Sequence, residues 1–537
     1  MKPIRQAIVL FLLGICAMPK AQEITDEALF RDAIQTLASD EFGGRKPLSE
    51  HEPLTVNYIA DKFKSLGLLP ANGDSYFQQV PLLSVKTQIK KNEITLNGRK
   101  GNATLKPFTD FILWSQRSDK NLKLSKAEYV FVGFGINAPE YGWNDYEGVD
   151  MKGKIAVILV NDPGYYDDNL FRGKNMTYYG RWTYKFEEAN RQGAAAAFVI
   201  HDTGPASYDW SVVQNSWAGK NISLYSENEV LAFKGWVSNA SAKLMFEKSG
   251  SSYDDSFAAA KKKGFKSITL GLKSTIELVN DAKVENSANV AGILPGTDLK
   301  GEYLVYSAHW DHFGIGIPID GDSIYNGASD NASGVAGLFV IANRFNQLPQ
   351  RPRRSILFLA VTGEESGLIG SEYYATHPLY PVNKTVLNLN MDAYAPRHRT
   401  RDITLGAAGD SDIDKYVTEA AATQGRTVKP ATNQTGGGYF RSDHFNFAKV
   451  GVPVVIASGG RDYLDPKAVD EEKVALGERR TYHQPTDEYH SWWNVSGALD
   501  DIYLLYGIGL RLSNDGYFPK WSEGVPYGKV REASMRQ

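Results

Sequence analysis

A chain of 537 residues exceeds what one ordinary hydrophobic core organises, so two or more domains are expected. With 42% hydrophobic and 23% charged residues, the composition is that of a soluble globular protein. A net charge of −3 and the lack of a strong basic block argue against a nucleic-acid partner, which would need a positive surface.

The first 21 residues read as a signal peptide. Lys2 and Arg5 form a charged start, Ala7 to Ala17 is an apolar run, and Pro19-Lys20-Ala21 precedes the expected cut before Gln22. The run is too short to span a bilayer, and no later stretch is apolar enough to do so. Cys16 is the only cysteine, and Ile15 before it spoils a lipoprotein signal. Cleavage after Ala21 leaves neither disulfides nor thiolate ligands. The expected location is periplasmic or secreted.

Residues 22–85 form an N-terminal helical part. Leu29, Ile34 and Leu37, then Val56, Ile59, Ala60, Phe63 and Leu66, recur at helical spacing, with a Gly-rich loop over 42–47 between them. Residues 86–280 change character and read as an inserted β-rich domain. Its strand-like runs are Ala127 to Phe134, Lys154 to Val160 and Ala195 to Ile200. Residues 281–537 alternate strand and helix. Strands are expected at 303–308, 355–362, 385–391, 403–406 and 452–458, and helices at 332–345, 367–376, 412–424 and 495–512. That alternation predicts a three-layer α/β domain with a mostly parallel sheet.

Metal-type residues fall at the ends of those strands. His309 and Asp311 follow one strand, Glu364 and Glu365 the next, and Asp392 a third. Ligands in open α/β sheets bind outside the carboxyl ends of the strands. Asp330 precedes a predicted helix, and His483 lies among turn residues. Taken singly, each has a plainer reading: Asp330 as a helix cap, Glu364-Glu365 as a solvated pair, the histidines as ordinary loop residues. Together they supply two imidazoles and several carboxylates, a donor set suited to zinc and to a pair of ions sharing a carboxylate.

Five ordered motifs give the chain a resemblance to the M28 family of zinc peptidases, the aminopeptidase Y and glutamate carboxypeptidase group. They are His309-Trp310-Asp311, Asp330-Asn331-Ala332-Ser333-Gly334, Glu364-Glu365, Met391-Asp392 and His483-Gln484-Pro485-Thr486-Asp487. The resemblance implies a phosphorylase/hydrolase-like peptidase domain with two zinc ions. His309, Asp330 and Asp392 would hold one ion, and Asp330, Glu365 and His483 the other. Asp311 would orient the His309 ring, Glu364 would be the general base, and Asp330-Asn331 would be a cis bond. Tyr482 is either a hydrogen-bond donor to the oxyanion or a packing tyrosine. The insert is similar to a protease-associated domain through the stretches 131–136, 146–155 and 191–196.

The substrate is then a peptide. Segment 435–445, with Tyr439 and Arg441, resembles the family's substrate-pocket segment. Arg441 would either clamp a substrate carboxylate or make a structural ion pair. The aromatic stretch 178–184 is either a lid or part of the insert's core. An aminopeptidase is the leading expectation. The alternatives are a carboxypeptidase or dipeptidase on the same site, a glutaminyl cyclase, and a non-catalytic binding protein. Oligomeric state is not legible.

Overall fold

The structure is a computed structural model that describes residues 25–536 apart from 218, 433 and 477–480. The expected signal peptide and Cys16 lie outside the described residues. One large sheet runs through the chain. In chain order its strands include Phe77–Ile89 (β1), Phe111–Trp114 (β2), Asn121–Phe131 (β3), Ile155–Leu159 (β4), Ala196–His201 (β5) and Lys234–Ser238 (β6). Ile268–Leu294 (β7), Leu299–His309 (β8), Arg354–Val361 (β9), Thr385–Asn390 (β10) and Val454–Val455 (β11) follow. The spatial order is β11-β10-β8-β9-β7-β3-β4-β5-β6-β2. The pairs from β11 to β9 are parallel, as are those from β3 to β6; β7 runs antiparallel to both its neighbours.

The parallel strands read as unbroken apolar runs because helices cover both faces. Every residue of β9 and β10 is buried. Asp26–Leu37, Ser333–Asn346 and Ser496–Leu512 supply helical faces to the same core, in which Phe339, Ile341, Ile502 and Leu505 meet Tyr306 and Phe358. A separate core, with Phe131, Val157, Phe198 and Phe246 buried in it, belongs to the β-rich body. Among the described residues no helix is long and apolar enough to cross a membrane.

Two expectations are revised. The apolar run 452–458 is not one strand: Val454–Val455 joins the large sheet, whereas Ala457–Gly459 pairs with Asp402–Leu405 in a second, three-stranded sheet. Both boundaries of the insert, 85/86 and 280/281, fall inside strands. β1 and β7 pair continuously from Phe77↔Val290 to Ile89↔Leu278, so the two bodies share a ribbon.

Candidate metal centre

Strand geometry sorts the residues of the first motif. Successive side chains leave a strand on opposite faces. Trp310 turns into the core, where its indole N–H donates to the Ala288 carbonyl at 3.0 Å. His309 and Asp311 turn the other way, to the carboxyl end of β8. β9 ends at Val361 and delivers Glu364 and Glu365 beside them; β10 ends at Asn390 and delivers Asp392.

Asp330 is the centre of the cluster. One carboxylate oxygen lies 3.2 Å from His309 Nε2, and the other lies 3.3 Å from His483 Nε2. His309 Nε2 is also 3.4 Å from Asp392, and His483 Nε2 is 3.2 Å from Glu365. Ligands about 2.0–2.2 Å from a tetrahedral zinc stand ~3.3 Å from one another, so these separations and this donor set fit a pair of zinc ions. The structure thus brings His309, Asp330, Glu365, Asp392 and His483 together in one cluster. Grouping by proximity alone also sets Glu364 with His309 and Asp392, and His312 with Asp330 and Glu365. The contacts of Asp330 with both His309 and His483 favour the sets implied by the motifs.

The turn that carries Asp330 is held from three sides. The Asp487 carboxylate accepts the amides of Ser329 and Asp330, each at 3.0 Å. Asn331 donates to the Met391 carbonyl at 3.0 Å and accepts from Gly334 N and Ala393 N, which ties this turn to the one bearing Asp392. The Asp330-Asn331 bond is cis, as the resemblance implied. Gly327 takes φ +58° beneath it, and a Cβ there would meet the Asp330 carbonyl oxygen at 2.2 Å and His312 Cγ at 2.6 Å.

Asp311 does more than face the His309 ring. The nearest partner of His309 Nδ1 is the Asp311 backbone oxygen at 3.1 Å; the carboxylate is 3.8 Å away. That carboxylate instead accepts the amides of Glu364 and Glu365, at 3.1 and 3.4 Å, and so fixes the glutamate turn.

The electrostatics suit a cation. Burial alone would lower the His309 pKa, but Glu364, Asp330 and Asp392 hold it well above the usual imidazole value. His483, also opposed by burial, is drawn up to about 9 by Asp330 and Glu365. Burial opposes ionisation of Asp330, yet hydrogen bonds from the two imidazoles hold its carboxyl far below the ordinary range. Glu364 goes the other way: burial, with Glu365, Asp392 and Asp443 nearby, pushes its pKa well above that of a normal glutamate.

Around the cluster lies a cavity of about 450 Å³ lined by Asp330, Glu364, Asp392, Tyr439, Arg441 and Tyr482, among others. Tyr482 is exposed and stacks on His483, with ring centroids 3.7 Å apart. Arg441 donates to the Gly436 carbonyl at 3.1 Å, and among the described residues it makes no ion pair. The stretch 178–184 packs inward: Tyr178 lies against Tyr184, Phe440 and Phe445.

Two contributors escaped the sequence. His312 is buried, and its Nδ1 is 2.7 Å from Glu365 Oε1. Its place in Trp310-Asp311-His312 was the only available signal. Arg45, in the Gly-rich loop, is fully buried and donates to the carbonyls of Leu37, Trp310, Asn326 and Gly327. It thereby joins the N-terminal part to two loops of the site. Nothing in a Gly-Gly-Arg loop distinguishes such a clamp from a solvated arginine.

The model of Peptidase family M28 matches residues 289–506. The rat protein "Aminopeptidase NAALADL1" is 33% identical over 127 residues, covering 23% of this chain and 16% of that one. "Aminopeptidase YwaD" of Bacillus subtilis (strain 168) is 24% identical over 360 residues, covering 66% of this chain and 62% of that one. This chain thus spans less than two thirds of either relative. A solved aminopeptidase from Aneurinibacillus sp. strain AM-1 aligns over 92% of this chain and 95% of its own, at 19% identity and a TM-score of 0.47, too distant to bear on function. The stretch 289–506 that matches the model of Peptidase family M28 contains every residue of the cluster from His309 to His483.

Proposed function

We propose that the protein is an exported di-zinc exopeptidase, and specifically an aminopeptidase that removes N-terminal residues from peptides. The observation that carries this reading is Asp330, which offers one carboxylate oxygen to each of two histidines. His309, Asp330 and Asp392 would hold one zinc, and Asp330, Glu365 and His483 the other. Bound there, the ions would lower the pKa of water and polarise the scissile carbonyl.

The chain's own groups do the rest. Glu364 reaches the cavity, where its carboxylate would take a proton from the attacking water and return it to the leaving amine. Asp311 holds the backbone from which Glu364 projects. Tyr482 lines the cavity beside His483 and would offer its hydroxyl to the developing oxyanion. We assign the β-rich body as a protease-associated-like module, and residues 1–21 as the export signal.

One observation favours a second reading. Arg441 lines the cavity with no acidic partner among the described residues, as a clamp for a substrate carboxylate would, and that suits a carboxypeptidase or dipeptidase. Cleavage of one short peptide in free, N-acetylated and C-amidated forms decides between them. Loss on N-acetylation alone establishes an aminopeptidase; loss on C-amidation alone establishes the second reading. Zinc-loaded protein that cleaves none of the three overturns both.

A further inference from the structure

A second cavity, of about 500 Å³, lies beside the first. Ala431, Gln434 and Tyr439 line both, so the two adjoin. Its other walls come from both bodies: Tyr141, Met176 and Tyr179 from the β-rich one, Phe440 and Tyr527 from the peptidase region. We propose that this cavity is a subsite for the part of a peptide beyond the two residues flanking the scissile bond, and that it takes a bulky aromatic or aliphatic side chain there. The proposal rests on the exopeptidase reading above and narrows its substrate class.

The walls are fixed rather than loosely apposed. Met176 N donates to the Gln434 carbonyl at 3.2 Å. Arg172 donates two bonds to Asp410, both at 3.2 Å. Lys449 pairs with Glu187 at 3.2 Å, and the Tyr178 ring lies 4.8 Å from that of Phe445. A preformed aromatic pocket binds without an ordering cost. Its charges also select. Arg172 and Asp410 satisfy each other, and the remaining charged wall residue is Glu523, an exposed carboxylate that disfavours an acidic side chain. At the junction of the cavities the Tyr439 hydroxyl is buried with no hydrogen-bond partner.

The test uses zinc-loaded full-length protein and the pentapeptide Leu-Gly-Gly-Gly-Gly, with Phe or Asp placed in turn at positions 2 to 5. Phe at position 3 or beyond should raise kcat/KM about tenfold or more over glycine, chiefly through KM, and Asp should not. Ala408→Trp, which fills the cavity, and Tyr141→Ala, which opens a wall, should each cut that ratio to less than about threefold. The same preference should appear as binding affinity in the Glu364→Gln protein, measured by calorimetry without turnover. A Phe-to-Gly ratio within twofold at every position overturns the subsite, as does a preference that both variants retain. Phe-selective binding without cleavage by the zinc-loaded protein would keep the subsite and overturn the exopeptidase reading.

Discussion

His312 Nδ1 lies 2.7 Å from one oxygen of Glu365, while the other oxygen of the same carboxylate faces His483 at 3.2 Å. A proposed zinc ligand is therefore held from behind by an imidazole that reaches no solvent. Such support behind a ligand sets its aim, and its loss commonly weakens metal binding ~10- to 100-fold. His312→Phe should keep the fold but loosen one of two zinc ions by about that factor, read by competition with a chromophoric chelator. Unchanged affinity for both ions would leave His312 a packing residue.

Glu364→Gln is nearly isosteric and removes the proton acceptor. It should retain zinc content and lower kcat by ~100-fold or more, with KM little changed. Near-normal turnover would remove Glu364 from the reaction.

Asp330 touches both histidines, so Asp330→Ala should cost both ions rather than one. Zinc per chain, measured on the purified variant, should fall well below that of an Asp392→Ala protein, which loses a ligand to a single site. Equal zinc contents in the two variants would contradict a bridging role.

Gly327 supports that turn through its backbone. Gly327→Ala places a methyl against the Asp330 carbonyl and the His312 ring, at a positive φ that itself costs ~1–2 kcal/mol for a residue with a Cβ. A lower thermal midpoint and reduced zinc binding are expected together. A variant with the stability and metal content of the parent would show that the turn can shift freely.

The chelated protein should respond to alkali. His483 titrates near 9 in the folded protein and near 6.5 when unfolded. The stabilisation it brings is thus complete below pH 6.5 and is lost as pH rises through 9. The thermal midpoint of chelator-treated protein should fall across that window. Zinc-loaded protein, with the imidazole committed to metal, should hold its midpoint there. Parallel pH profiles would argue that His483 does not meet the ion.

Much of this was legible in the sequence, for reasons specific to each part. β8, β9 and β10 are buried on both faces, so their apolar runs announce them, and the residues just beyond each run mark the site. The run 452–458 looks the same in sequence, but it splits between two sheets because Val454–Val455 and Ala457–Gly459 find different partners. β7 was missed because Gly271, Asn280, Asp281, Asn286 and Ser287 read as turn residues. In place, residues 268–279 of the strand pair with β3, 278–290 with β1 and 290–294 with β9, so tertiary pairing overrides local preference. Arg45 and His312 act across long sequence separations, and no local pattern encodes which carbonyl or carboxylate they will meet.

The 27-residue strand β7 has a mechanical consequence. At about 3.3 Å per residue its contour is ~90 Å, broken by register shifts between Thr269 and Ile276, with one end in each hydrophobic core. A hinge between the two bodies would have to break the ladder of main-chain bonds along β1 and β7, so domain opening about this connection is disfavoured. Neither body can be excised as a clean unit: a cut anywhere in β7 leaves a raw sheet edge on both products, and each would be prone to aggregate.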